Sequence, residues 1–226
     1  MKHPSILPDV VVLDPDVLDG LPVYQKKCTV LDAYCQAIEA WWSVHSTIES
    51  KSYSKAAIEK IRVYISEYVK ENTEKSREEI MAASNLAGKA IAVTATTAPH
   101  AMGYKLTTTY GYPHGHSVAL CLPRVWKFML SHPERCTDRR GAEYLFKTFE
   151  DIAEAMGYSG KDSAWTAAEG FEAMLNDFGI CYPEEKDVDA VAKYFADAVN
   201  VDRLGNNPVS LDNESLFNLY KGMFIK

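Results

Sequence analysis

Two histidines stand in frames marked by proline and glycine: His100 in Ala98-Pro-His-Ala-Met-Gly103 and His114 in Tyr112-Pro-His-Gly-His116. Imidazole ligates metals and exchanges protons near neutral pH. In one unbroken helix the two rings would stand about 21 Å apart. Gly111 and Pro113 break the helix between them, so the second segment can fold back and carry His114 to His100. Asp32 and Gln36 offer oxygens four residues apart, on one face of a predicted helix over 25–45. That face borders an apolar stripe, where a carboxylate without a cation or donor is costly to bury. A carboxylate oxygen, an amide oxygen and two imidazole nitrogens form a borderline-hard donor set without thiolate. Such a set suits Fe2+, Zn2+ or Mn2+ and leaves room for a substrate oxygen, whereas structural zinc sites favour thiolates and are closed. Each pair also has a plainer reading. Lone histidines usually serve the core or the surface, and Asp32 with Gln36 can be an ordinary side-chain pair one helical turn apart.

The elements that must position these residues are almost all helical. Leu31, Tyr34, Cys35, Ile38, Trp41 and Trp42 form a stripe at spacings of three and four, and Ala56, Ala57, Ile61, Tyr64, Ile65 and Tyr68 repeat it over 52–68. Ser76-x-x-Glu79 reads as a capping box opening a third helix. A short helix over 98–109 precedes the Tyr110-Gly-Tyr-Pro113 break, and another starts at His114. Three more follow between Pro133, Gly157–Gly160, Gly179 and Pro183, and a last one spans 212–223 after the turn Leu204–Pro208. Val10-Val-Val-Leu13, between Pro8 and Pro15, is the one predicted strand, and a lone strand must join a sheet. The expectation is an all-α bundle over 22–226, preceded by a strand and linker over 1–21.

Composition narrows the function. Of 226 residues 47% are hydrophobic and 24% charged, which excludes disorder and fibres, and a net charge of -7 argues against nucleic acid. The five cysteines are scattered without a C-x-x-C pair, so neither a zinc ribbon nor a disulfide framework is indicated, and Cys28 and Cys35 read as buried apolar positions. The first residues carry no signal-peptide pattern, and no apolar run approaches the roughly 18 residues of a membrane helix. A cytoplasmic location without membrane contact is expected.

Several segments resemble the iron-containing (group III) alcohol dehydrogenases. Asp32-Ala-Tyr-Cys-Gln36-Ala-Ile-Glu-Ala is similar to that family's D-A-x-x-H-A-x-E. His100-Ala-Met-Gly-Tyr-Lys-Leu is similar to H-A-x-x-H-x-L-G, and Tyr112-Pro-His114-Gly-His-Ser-Val-Ala-Leu-Cys-Leu-Pro to P-H-G-x-x-N-A-x-x-L-P. Leu86-Ala-Gly88 and Leu13-Asp-Pro15 fall where the family has L-A-G and D-P. The resemblance runs from about residue 4 to the C-terminus and implies the helical metal-binding domain of such an enzyme. Carried across residue by residue, the metal ligands would be Asp32, Gln36, His100 and His114, with Fe2+ first and Zn2+ as the alternative. Gln36 replaces a ligand histidine, and Tyr104 stands where most members have a second histidine. Tyr104 and His116 are therefore candidates for proton relay, and Lys105 for substrate anchoring.

The segment Tyr24-Gln-Lys-Lys-Cys-Thr, with Gln36 and Pro-His-Gly-His, resembles the branch that reduces phosphonoacetaldehyde. Its dianionic phosphonate would be answered by Lys105, with Lys26, Lys27 or Arg124 as further candidates. The implied activity is NAD(P)-linked hydride transfer between a small alcohol and its aldehyde. The family's nucleotide domain has a Gly-Gly-Gly-Ser-type phosphate loop, and no such loop follows a strand in this sequence. The chain is thus expected to lack the cofactor half, to start just before that half's last strand, and to be inactive without it. Dimerisation of two copies is a further expectation. Two other readings remain: a dehydroquinate synthase or glycerol dehydrogenase type of metal enzyme, and a non-catalytic helical fragment. A lysine paired with Asp32 would favour the fragment.

Overall fold

A tryptophan cluster marks the centre of the bundle. Trp42, at the end of α1 (Val23–Trp42), meets Trp126 of α5 (His114–Ser131) and Phe149 of α6 (Ala142–Ala155) edge-on, at centroid distances of 5.5 and 6.0 Å. This is a computed structural model that describes residues 8–224, and among them the elements are helices with no strand. The last six residues of α1, Ala37 to Trp42, are all buried, because α2 (Ile48–Lys70), α3 (Glu74–Val93), α5 and α6 all pack on it. The apolar stripe read from the sequence is therefore one face of a helix enclosed along its whole second half. Cys28 and Cys35 are buried in α1, as expected.

The break between the two histidines becomes a helical hairpin. α4 (Ala98–Tyr110) ends at Gly111, whose φ of +69° is the left-handed conformation that lets the chain reverse. Pro113 then precedes α5, which packs back along α4. Gly115 brings the start of α5 onto α1 so closely that a Cβ there would stand 1.9 Å from the Cys28 carbonyl oxygen. The remaining helices, α7 (Ser163–Asp177), α8 (Val188–Asp197), α9 (Val201–Leu204) and α10 (Asn213–Phe224), cover the other flank. Tyr220 of α10 donates to the Met102 carbonyl at 2.8 Å, and α9 leans on α4.

Three local expectations change. Residues 10–13 form no strand: they have no ladder partner among the described residues, and Val10 and Val12 are 78% and 85% exposed. The segment after them is nonetheless tied down, since a 3-10 turn over Pro15–Leu18 leads to Asp19, which accepts from Arg77 at 3.1 Å and Asn72 at 2.9 Å. The third helix starts earlier than the Ser76–Glu79 box predicts. Thr73 is its N-cap and accepts from the Ser76 amide at 3.1 Å, while Glu79 pairs with Lys60 and Lys75 instead. The reciprocal capping box belongs to α2, between Thr47 and Ser50, and it moves that start back to Ile48.

Candidate metal centre

The hairpin brings His100, in the first turn of α4, and His114, the first residue of α5, to a ring-centroid distance of 5.2 Å. Asp32 of α1 lies opposite both: its Oδ1 is 3.5 Å from His100 Nε2 and 3.8 Å from His114 Nε2. One ligand atom from each of the three lies within 4.8 Å of the others. Asp32 Oδ1 and His100 Nε2 are buried, yet neither has a hydrogen-bond partner. Two buried acceptors that face one another want a shared cation or proton.

The opposite edge of His100 explains why Nε2 is the free nitrogen. His100 Nδ1 donates to Glu39 Oε1 at 2.5 Å, and Glu39 is fully buried. Glu39 Oε2 in turn accepts from the Thr97 amide at 2.7 Å and the Thr97 hydroxyl at 2.9 Å, and that hydroxyl accepts from Trp42 Nε1. The chain Trp42–Thr97–Glu39–His100 fixes the imidazole tautomer and aims its lone pair at Asp32, the usual arrangement behind a ligating histidine. Burial lowers the affinity of His100 for a proton, but the negative charges of Glu39 and Asp32 and the hydrogen bond to Glu39 outweigh it and raise the pKa to about 9. For His114 burial wins and the pKa falls below its ordinary value, so its ring is neutral and free to ligate at pH 7.

Gln36 is brought to the same place, where its Nε2 donates to Asp32 Oδ2 at 2.8 Å. This is the one-turn side-chain pair, and a half-turn of the soft terminal torsion would present Oε1 instead. No lysine pairs with Asp32 among the described residues. Tyr104 stacks on His114 at 5.4 Å, next to the cluster. Lys105 turns away from it and donates to the Tyr194 hydroxyl at 3.3 Å.

His116 is not brought to the cluster. Its Nδ1 accepts from the Tyr24 hydroxyl at 2.8 Å, its Nε2 donates to the Cys181 carbonyl at 3.0 Å, and its ring stacks on Tyr112. With both nitrogens hydrogen-bonded and burial holding its pKa low, His116 ties α5 to α1. The other phosphonate-binding candidates are engaged elsewhere as well. Lys26 reaches the Asp19 carbonyl, Lys27 the Phe178 carbonyl at 2.8 Å, and Arg124 pairs with Glu172 and Tyr182.

Asp32, Gln36 and His114 line a cleft of about 320 Å³, and Tyr104 lines a second one of about 360 Å³. A larger cleft, about 630 Å³, lies elsewhere around Asp138 and Arg140. Glu39 and Arg203, which donates to the Tyr104 hydroxyl at 2.8 Å, received no role from the sequence. Glu39 had a signal, a carboxylate inside the apolar run 37–42 that must be paired if the helix is buried. Arg203 had none, because its place beside Tyr104 comes from tertiary folding.

Comparison with known proteins follows the same geometry. Residues 27–224 match the family model for the C-terminal part of the Fe-containing alcohol dehydrogenase family. Phosphonoacetaldehyde reductase of Streptomyces viridochromogenes is 30% identical over 218 residues, covering 96% of this chain and 54% of the relative. Lactaldehyde reductase of Escherichia coli K12 is 26% identical over 233 residues, covering 96% and 56%. An iron-containing alcohol dehydrogenase structure from Thermococcus thioreducens superposes with a TM-score of 0.85 at 23% identity, covering 98% of this chain and 56% of that one. The chain thus spans about half the length of these relatives. Among the described residues no helix is long and apolar enough to cross a membrane.

Proposed function

The chain belongs to the Fe-containing alcohol dehydrogenase family, and we propose that it supplies the metal- and substrate-binding half of an NAD(P)-linked aldehyde reductase. The observation that carries this reading is the buried, partnerless pair Asp32 Oδ1 and His100 Nε2 beside His114. Asp32, His100 and His114 would hold a divalent metal, Fe2+ by family, with Gln36 turning Oε1 inward as a fourth donor. That ion, when bound, supplies Lewis acidity toward an alcohol or aldehyde oxygen.

The chain's own residues do the rest. Glu39 keeps the proton on Nδ1 of His100, so that Nε2 stays a donor to the metal. The Tyr104 ring braces His114, and its hydroxyl would exchange a proton with a substrate oxygen. The hydride donor would sit on a second, nucleotide-binding half, for which this chain has no glycine-rich phosphate loop. The exposed run 10–13 is the segment on which that half would pair. The 30% identity to a phosphonoacetaldehyde reductase supports a short, phosphonate-bearing aldehyde as substrate.

Cobalt substitution tests the reading on the chain as it stands. We expect the Co2+-loaded chain to show visible bands that shift when a short aldehyde or alcohol is added, and Asp32→Ala to lose the bands. A spectrum that no aldehyde or alcohol moves, or one unchanged in Asp32→Ala, would overturn it.

A further inference from the structure

The second cleft, between α4 and the segment 198–203, brings together two cations in a chain of net charge -7. Arg203 places its guanidinium 4.8 Å from the Tyr104 ring centroid, and its one side-chain hydrogen bond among the described residues goes to the Tyr104 hydroxyl. Lys105 sits 4.8 Å over the Tyr194 ring and bonds its hydroxyl. Neither has a carboxylate within ion-pairing reach among the described residues, whereas Lys60, Lys75, Arg77, Lys127 and Arg140 all do. Aromatic rings position the two cations without neutralising them. Asn200 turns its Oδ1 back to the Asp202 amide at 2.9 Å, which leaves its amide NH2 as the free donor at the cleft.

The cleft also has a fixed relation to the candidate metal centre. His100 and Tyr104 are one helical turn apart on α4, about 6 Å along the axis, and Tyr104 is the ring shared by both places. Tyr104 stacks on His114 and holds Arg203 through its hydroxyl, so this ring links the candidate ligands to the cleft. We propose that Arg203, Lys105 and Asn200 form the subsite for a doubly charged tetrahedral anion on the substrate, a phosphonate. This rests on the reading of the metal centre as the place of the aldehyde oxygen. A bidentate guanidinium, an ammonium and an amide donor match three oxygens carrying two charges better than one charge or none.

The test is a titration of the chain with methylphosphonate, followed by 31P NMR above the second ionisation of the acid, with and without Zn2+. Wild type should bind saturably, and Arg203→Gln and Lys105→Gln should each bind on the order of tenfold more weakly. Lys55→Gln, the same charge change at a remote exposed lysine, should bind as wild type does. Methanesulfonate, with the same shape and one charge, should bind more weakly than methylphosphonate. Circular dichroism checks that each variant is folded, and Arg203→Lys, which keeps the charge, should lie between wild type and Arg203→Gln. Equal affinities across the variants, an equal loss in Lys55→Gln, no saturable binding, or equal binding of methanesulfonate would each overturn the proposal. Metal content is measured on the same samples. A chain that binds phosphonate but retains no metal refutes the metal reading and keeps the subsite, and the reverse refutes the subsite alone.

Discussion

Two polar clusters in this fold are each built around an aspartate and end in opposite states. Asp138 and Arg140 satisfy one another. Its carboxylate accepts from the Arg140 amide, Nε and Nη2, and Arg140 also donates to Ser43, Ser46 and Tyr144. Around Asp32 the matching stops short, with Oδ1 and the His100 Nε2 buried and bare. The first cluster lines a cleft of about 630 Å³ and its aspartate is paired; the second lines a smaller one, of about 320 Å³, and its aspartate is not. Cleft size does not identify the site here; two unsatisfied ligand atoms that face one another beside a third do. The same contrast recurs two residues apart on α5, where His114 keeps a free nitrogen facing Asp32 and His116 keeps none.

The largest effect should come from crossing the two aspartates. Asp32→Ala should weaken Zn2+ or Fe2+ binding on the order of a hundredfold or more. Asp138→Ala should leave metal affinity unchanged and cost about 2 kcal/mol, because Arg140 loses its charge partner. Titration calorimetry and urea unfolding of the two variants read both arms. If Asp32→Ala keeps the metal, the contrast between the clusters is wrong.

Gly115→Ala strikes the contact that seats His114 against Asp32. A methyl 1.9 Å from the Cys28 carbonyl must push α5 off α1, which should cost about 2–3 kcal/mol and most of the metal affinity together. Glu39→Gln acts one step behind the ligand. It should weaken metal binding roughly tenfold to a hundredfold, by releasing the imidazole orientation and tautomer. His116→Phe keeps the stack on Tyr112 but drops two hydrogen bonds, so it should lower stability by about 1–2 kcal/mol and leave metal binding intact.

A pH dependence follows from the His100 ring. A proton and a metal compete for His100 Nε2, so apparent metal affinity should rise as the pH increases toward about 9. The metal-free chain should do the opposite. The His100 pKa is raised from 6.5 to about 9 on folding, and the stability this adds is complete below 6.5 and lost as the pH rises through 9. Thermal unfolding and metal titration across that window check both slopes.

Much of this was legible in the sequence, for identifiable reasons. Helical periodicity located the helices because their apolar faces repeat at the period of the backbone, and Gly111 with Pro113 announced the hairpin that joins His100 to His114. Helix starts were less legible. The side chain that caps a start depends on the turn before it, and Thr73 displaced the predicted Ser76. Residues 10–13 take no strand form among the described residues because a ladder needs a partner, and none of these residues supplies one. His116 looked like chemistry from its place beside His114, but its nitrogens are spent on Tyr24 and Cys181, residues remote in the chain. Glu39 stood inside a quoted motif, and only the direction of its carboxylate gave it a part. Arg203 lies 99 residues from Tyr104, and nothing in the order of residues links the two.

The central claim is that the Asp32 cluster is incomplete without a cation. Its most direct test is metal content by inductively coupled plasma mass spectrometry, on chain purified without chelator, beside Asp32→Ala and Gln36→Ala. The expected result is near one Fe or Zn per wild-type chain, none in Asp32→Ala, and weakened retention in Gln36→Ala. A wild-type chain that holds no metal, and takes up none when Fe2+ or Zn2+ is supplied, would contradict the account.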